Sequence, residues 1–134
     1  MNIRTGDVVL CDLPNNIGHQ QGGTRYGVVV SNNIGNKLSP TVEILPSTTK
    51  RTGSQPTHAF FRAGEISGVP YDTTFEAESK WTINKFQILK VVSHLSEDQL
   101  ERIAEAMIYA TPCILSAFEN GVHKTQKFQY VSNY

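Results

Sequence analysis

A polar, glycine-containing segment from Gly18 to Gly27 holds the side chains of this chain that are best suited to chemistry. It contains His19 and Arg25, and the apolar run Val28–Val30 follows directly. Two adjacent glycines in the segment allow a tight turn, because glycine accepts positive φ angles. An arginine at the start of a strand presents a planar, permanently charged fork that suits a phosphate group. The segment therefore predicts either a phosphate-binding loop or an ordinary glycine hairpin with a surface arginine.

Short apolar runs separated by turn signals predict the strands that would position this loop. The cluster from Asn32 to Asn36 is typical of a turn, and Pro46 is expected to end the third strand. Such a series of short strands favours a small barrel or sandwich. The predicted strands are Asp7–Asp12, Tyr26–Ser31, Thr41–Leu45, His58–Arg62, Trp81–Ile83 and Phe86–Val92.

The last third of the chain has a helical pattern. Ser96 and Gln99 form the signature of a capping box, and an apolar stripe at helical spacing follows it. Pro112 is expected to break this helix, and a second helical piece capped by Thr111 should run to about Glu119. The stripe consists of Leu100, Ile103, Ala104, Met107 and Ile108.

Length and composition favour one globular domain over residues 1–134, with a tail, 121–134, that is expected to be partly mobile. The formal net charge is zero, which weighs against a strongly basic nucleic-acid binder, although a local basic face can still bind phosphates. No apolar run approaches the roughly 20 residues that span a bilayer, and no signal peptide is evident, so we expect no membrane association and a cytoplasmic location. Cys11 and Cys113 are expected to be buried thiols.

Several short motifs occur in order along the chain: Gly6-Asp7-Val8, Gln21-Gly22-Gly23-Thr24-Arg25, Ser31-Asn32 with Gly35-Asn36-Lys37, Ser39-Pro40-Thr41, Pro56-Thr57-His58 and Thr82-Ile83. Taken together, over roughly Ile3 to Leu115, they resemble the MazF/PemK family of toxin endoribonucleases. The resemblance implies a mainly β protein with a C-terminal helix, an SH3-like barrel of the MazF/PemK/CcdB type. It also implies a homodimer, metal-independent cleavage of single-stranded RNA, and neutralisation by a cognate antitoxin.

The resemblance also assigns candidate roles. Arg25 matches the family's catalytic arginine and Thr48 its catalytic threonine. His19 falls where the Kid-like branch has a catalytic histidine, and Glu78 falls where family members have a catalytic aspartate or a glutamate. One departure is Trp81, preceded by Lys80, at a position where the family often has arginine. The candidate substrate contacts are Gln21, Gly22, Thr24, Lys50, Lys80 and Trp81.

Cleaving RNA without a metal requires a base for the 2′-hydroxyl proton, donors for the charge on phosphorus, and an acid for the leaving 5′-oxygen. Arg25 suits the second task, and Thr48 can bond a phosphate oxygen or the 2′-hydroxyl. Proton transfer is open between His19, which titrates nearest neutrality, and Glu78, which could act if burial raises its pKa. Alternatively, Glu78 could orient Arg25 as an ion pair.

No metal or other cofactor is predicted, because the remaining histidines show no ligand spacing with one another or with the cysteines. Aromatic side chains beside polar loops, among them Tyr26 and Tyr71, could stack unpaired bases, although most should be core or dimer-interface residues.

Two other functions remain open from the sequence. A gyrase poison on the same barrel would act through its C-terminal helix and would not need Arg25. A non-catalytic module would bind RNA or a peptide and would never cleave.

Overall fold

Seven strands and three helices are present in the part of the chain that the structure, a computed structural model, describes: residues 1–14, 23–49 and 55–121. Short 3₁₀ turns at Ala77–Ser79 and Lys85–Gln87 connect some of them. The strands are β1 (Asp7–Leu13), β2 (Gly23–Val29), β3 (Thr41–Thr48), β4 (His58–Phe61), β5 (Thr73–Glu76), β6 (Trp81–Asn84) and β7 (Ile88–His94). The helices are α1 (Asn33–Leu38), α2 (Glu97–Ala110) and α3 (Pro112–Glu119).

Strand β3 is the centre of the sheet, because different parts of it pair with different neighbours. Its first half pairs with β6, its middle with β2, and its last two residues, Ser47 and Thr48, with β5. All of these pairings are antiparallel, and the described strands follow the open order β4-β5-β3-β2-β1-β7 with β6 added on β3. The mainly β fold with C-terminal helices agrees with the sequence prediction.

Both faces of the central strands are buried, which explains their nearly continuous apolar runs. Val8 and Val28 belong to one core cluster, which α2 covers. Their neighbours Val9 and Val29 point the other way, into a second cluster that includes Ile83 and half-buried Trp81. Successive side chains of a strand alternate between faces, so the two consecutive valines of each strand pack into different cores.

Helix α2 begins with the predicted capping box. The Ser96 hydroxyl accepts a bond from the Gln99 backbone, and the Gln99 side chain accepts one from the Ser96 N–H. Ile103 is buried as predicted. The predicted stripe was wrong at Ala104, which is exposed, whereas Ala106 is buried against the first core cluster.

The predicted turn at Asn32–Asn36 was wrong, because this segment forms the short helix α1. Asn32 is its N-cap, and its side chain accepts a bond from the Gly35 backbone. Asn36 is buried, and its amide group donates to the Ser31 carbonyl. Asparagine favours both turns and N-caps, so its local signal did not separate the two structures.

The predicted end of β3 at Pro46 was also wrong. The strand continues to Thr48, and Pro46 lies opposite Gly27 of β2 in the ladder. Strand β5 was not predicted, although its threonines and Phe75 are buried. A four-residue strand that contains polar side chains shows little alternation of polar and apolar residues in the sequence. Strand β5 is extended because it pairs with β3 on one side and with β4 on the other.

The two cysteines differ in environment, contrary to the expectation that both are buried. Cys11 lies in β1 with no exposed surface, and burial raises the pKa of its thiol to about 12. Cys113 is exposed on α3. None of the described helices is long and apolar enough to cross a membrane.

Candidate functional site

A pocket of about 340 Å³ lies where β2 begins and β3 ends. One cation, four hydroxyl side chains and two tyrosines line it, together with one leucine. The combination of a fixed positive charge with several hydroxyl donors suits an anionic, hydroxyl-bearing ligand. The lining residues are Leu10, Thr24, Arg25, Tyr26, Ser47, Thr48, Thr49 and Tyr71.

Strand register brings Arg25 and Thr48 to the same pocket. The β2–β3 ladder ends where Gly27 lies opposite Pro46, and Arg25 and Thr48, each two residues from that pair on its own strand, both line the pocket. A Cβ on Gly27 would lie 2.8 Å from the Ile44 Cδ1 atom, so glycine lets the two strands pack at this point. The two sequence-predicted catalytic side chains are therefore neighbours, although they are separated by α1 and most of β3.

The glycine turn before β2 is described only in part. Gly23, the first residue of β2, has a φ of +103°, which favours glycine as predicted. Thr24 is exposed and lines the pocket, consistent with its predicted role as a substrate contact. Four other predicted site residues lie outside the described residues: His19, Gln21, Gly22 and Lys50. The expected mobile tail after Gly121 lies outside them as well.

Glu78 makes its contacts away from this pocket. Its carboxylate accepts a hydrogen bond of 2.5 Å from the Nε2 atom of His58, whose side chain is nearly buried. Burial acts to raise the pKa of Glu78, but hydrogen bonds from the Thr57 side chain, its own backbone and His58, with the attraction of His58, lower the pKa overall. Glu78 is therefore ionised and engaged with His58.

The other two predicted substrate contacts lie around β6. The Lys80 Nζ atom is 3.7 Å from the Glu43 carboxylate of β3, and both side chains are partly exposed. Trp81 lies opposite Ile44 in the ladder and packs half-buried against the second core cluster. Neither of them lines the pocket that contains Arg25.

One group among the described residues has the geometry to hold a metal ion. Ligand atoms of His58, Glu76 and Glu78 all lie within 4.8 Å of one another. The sequence prediction looked for ligand spacing among histidines and cysteines only. It missed this group because two of its three members are glutamates, one from β5 and one from the following 3₁₀ turn. The hydrogen bond from His58 to Glu78 and the 3.8 Å approach to Glu76 account for the arrangement as an ion-pair cluster.

Sequence reasoning missed some of the pocket's hydroxyl groups. Ser47 and Thr49 flank Thr48 and line the pocket with it, although the sequence suggested only one functional residue in this run. The signal was hidden because β3 was expected to end at Pro46. The strand in fact continues through Pro46, so that Ser47 and Thr48 form its last two residues and only Thr49, after its end, is exposed.

The sequence of this chain matches a family model described as the PemK-like, MazF-like toxin of type II toxin–antitoxin systems, over residues 4–110. Because this match covers most of the chain, the protein belongs to that toxin family. Among individual relatives, the endoribonuclease EndoA of Bacillus subtilis (strain 168) is 32% identical over 108 residues, which is 80% of this chain and 92% of EndoA.

Solved structures support the fold. MazF from Deinococcus radiodurans superposes with a TM-score of 0.68 at 19% identity, covering 81% of this chain and 96% of that chain. An endoribonuclease from a mycobacterial species, solved in complex with its cognate antitoxin, gives a TM-score of 0.65 at 21% identity and covers 82% of this chain and 95% of its own. At these identities the likeness concerns the fold alone.

Proposed function

We propose that this protein is the toxin of a type II toxin–antitoxin system and that it cleaves single-stranded RNA without a metal ion. The observation that carries the proposal is the pocket that Arg25 and Thr48 line together, beside the end of the β2–β3 ladder. The family and the similarity to EndoA, which is named an endoribonuclease, support RNA cleavage as the reaction.

The reaction we infer is an intramolecular transfer within the RNA. The 2′-hydroxyl oxygen attacks the adjacent phosphorus and forms a new P–O bond, while the bond from phosphorus to the 5′-oxygen breaks. A base removes the 2′-hydroxyl proton, and an acid protonates the leaving 5′-oxygen. The products are a 2′,3′-cyclic phosphate and a free 5′-hydroxyl, so DNA, which lacks the 2′-hydroxyl, is not a substrate.

In this scheme, Arg25 binds the phosphate oxygens on which negative charge increases in the transition state. Oriented donors at such a position often provide the largest catalytic contribution, and the guanidinium group needs no proton change to act. Thr48 bonds a phosphate oxygen or the 2′-hydroxyl and so aligns the attacking atom. The neighbouring hydroxyls of Ser47 and Thr49 extend the set of donors to the same nucleotide.

Of the two candidates for proton transfer, we propose His19. The lowered pKa of Glu78 makes its carboxylate a weak base near neutral pH, and its bond to His58 occupies it outside the pocket. A histidine titrates in the range where proton donation and acceptance are both efficient. Glu78 would then act on the site only indirectly, by holding His58 and the end of β5.

We also propose a cognate antitoxin, a homodimer and a cytoplasmic site of action, where messenger RNA is accessible. The mycobacterial structural neighbour is an endoribonuclease in complex with its cognate antitoxin, which supports the first partner. Helix α3 supports the dimer, because Ile114 and Phe118, one helical turn apart, are both exposed apolar side chains.

The test is incubation of the purified protein with a mixed single-stranded RNA pool in excess EDTA. We expect cleavage with 2′,3′-cyclic phosphate ends, and a loss of at least about 100-fold in rate for Arg25→Ala, as for removal of an oxyanion donor. Arg25→Lys should not restore the rate, since a lysine lacks the forked geometry. Thr48→Val removes the hydroxyl at nearly constant shape and should also be slow.

A matched control is Thr82→Val on β6, an exposed threonine outside the pocket, which should cleave like the wild type. Intact RNA in EDTA, or equal rates for wild type and Arg25→Ala, would contradict the proposal. Inhibition of gyrase supercoiling in the absence of RNA cleavage would favour the gyrase-poison alternative instead.

A further inference from the structure

Tyr71 is a large aromatic side chain that is 62% exposed although it lines the pocket of Arg25 and Thr48. The second pocket tyrosine, Tyr26, is half-buried and packs against the first core cluster. Packing in the core therefore accounts for Tyr26 but not for Tyr71. An exposed ring beside a phosphate-binding arginine has the chemistry of a stacking surface for a nucleobase.

Hydrogen bonds hold the backbone at and just after Tyr71 in place. The Thr73 hydroxyl donates to the Tyr71 carbonyl at 2.9 Å, and the Asp72 carboxylate accepts a bond of 2.8 Å from the Ala63 N–H. Earlier in the same loop, Glu65 pairs with Arg102 of α2 at 2.5 Å. Because these contacts fix the loop before any ligand binds, the ring is presented at low entropic cost.

A second, shallow concavity of about 400 Å³ begins next to Tyr71. It is lined by Gly64, Ile66, Gly68, Val69 and Pro70, none of which carries a charge. Pro70 lines this surface and the next residue, Tyr71, lines the arginine pocket, so the two concavities are joined by consecutive residues of one loop. An uncharged, largely apolar surface suits the flat face of a base better than a phosphate.

We propose that Tyr71 is a base-stacking subsite for the nucleotide next to the cleaved phosphate. The phosphate binds at Arg25, the neighbouring base stacks on the Tyr71 ring, and the strand continues over the Gly64–Pro70 surface. Stacking tolerates every base because each has a π face, so the subsite contributes affinity and position more than sequence choice. This inference rests on the proposed function, since it places the base relative to a phosphate held at Arg25.

The test compares Tyr71→Ala, Tyr71→Phe and the control Phe86→Ala, which removes an aromatic side chain that is 83% exposed and lines neither concavity. The cleavage position is first mapped with the wild-type protein. A short RNA is then made with a 2′-deoxy nucleotide at that position, which blocks cleavage, and with the fluorescent base 2-aminopurine on either side of it. Stacking quenches this fluorophore, so its emission reports contact with the ring.

We expect Tyr71→Ala to bind the RNA roughly 5- to 150-fold more weakly and to lose the quenching at one of the two positions. KM for the cleavable RNA should rise with little change in kcat, whereas Tyr71→Phe, which keeps the ring, and Phe86→Ala should match the wild type. Wild-type affinity and quenching in Tyr71→Ala, with cleavage intact, would overturn this inference alone. Absence of RNA cleavage by the wild type would overturn the proposed function, and this inference with it.

Discussion

At the scale of single residues, the structure distinguishes side chains that line the pocket from side chains that connect elements of the fold. Gly6-Asp7-Val8, the first motif of the family resemblance, belongs to the second kind. Asp7 is buried, accepts a bond from the Arg4 backbone, and lies 2.8 Å from His94 Nδ1 at the end of β7. It therefore ties the N-terminal turn to the strand that leads into α2. Arg25 and Thr48, by contrast, meet at a pocket and have hydroxyl neighbours.

Glu78 gives a residue-scale prediction about pH. Its pKa is lowered in the folded protein, so its ionised form stabilises the fold above its unfolded pKa, and this contribution is lost as the pH falls through the folded value. Replacing it with glutamine removes the contribution at all pH values. We therefore expect Glu78→Gln to unfold more easily than wild type near neutral pH and the difference to shrink below about pH 4, near the ordinary glutamate pKa.

The measurement is thermal unfolding by circular dichroism between pH 7 and pH 3, since RNA cleavage is not involved. Glu101→Gln, a change at an exposed glutamate of α2, serves as the matched control and should follow the wild type. A stability gap for Glu78→Gln that stays constant over this range would show that the charge of Glu78 is not what stabilises the fold.

At the scale of elements, β3 and α2 decide whether the pocket exists. Strand β3 pairs with β2 next to the pocket and carries Thr48 at its end, and α2 packs on the first core cluster, to which these strands contribute Val28 and Leu45. The Arg102 guanidinium of α2 also lies 4.0 Å from the centre of the Phe61 ring on β4. A loosened α2 would disturb these strands first and the side chains of the pocket only through them.

Ile103 gives the element-scale prediction. It is 2% exposed, and truncation to alanine leaves a cavity between α2 and the sheet. We expect Ile103→Ala to reduce the free energy of unfolding by about 2–5 kcal/mol, measured by urea denaturation. Ile34→Ala on α1, where the side chain is 39% exposed, is the control and should change it by about 0.5 kcal/mol or less. A similar loss in the free energy of unfolding for both variants would show that the packing of α2 against the core does not stabilise the fold.

At the scale of the whole molecule, α3 has a surface that the single chain leaves exposed. Ile114 is 42% and Phe118 37% exposed on a helix whose residues are predominantly apolar. Burial of this face between two copies would remove apolar surface from water, which is the usual driving force for a symmetric dimer. The proposed homodimer therefore predicts the molecular mass of the protein in solution.

We expect the wild type to elute with light scattering at twice the mass of one chain, 14.9 kDa, and Ile114→Asp to shift toward the single-chain mass. A charge placed in the interface must be desolvated without a partner, which weakens association. Leu38→Asp, at a 76% exposed site on α1, controls for added charge on an exposed apolar residue and should stay dimeric. A monomeric wild type, or an unchanged mass for Ile114→Asp, would contradict α3 as the interface.

Local patterns in the sequence were sufficient for elements whose signal is complete within a few residues. The capping box at Ser96, the break at Pro112 and strand β1 formed as predicted, because caps, proline geometry and buried runs are short-range effects. Strand β2 also formed, but it runs from Gly23 to Val29 instead of the predicted Tyr26 to Ser31, so Thr24 and Arg25 lie within it. The family resemblance, carried by motifs in order along the chain, was confirmed by the family match over residues 4–110. The site roles inferred from it remain predictions.

Long-range pairing decided the rest. The continuation of β3 through Pro46 and the existence of β5 depend on neighbours distant in sequence, which no local signal contains. The helix at Asn33–Leu38 has a local cap, but the same asparagine signal also fits a turn. For the same reason, only the tertiary structure could direct Glu78 to His58 and bring Tyr71 to the pocket of Arg25. The sequence by itself determined which residues have the necessary chemistry. The strand register determined which of them meet, because it sets side chains from separate parts of the chain opposite one another.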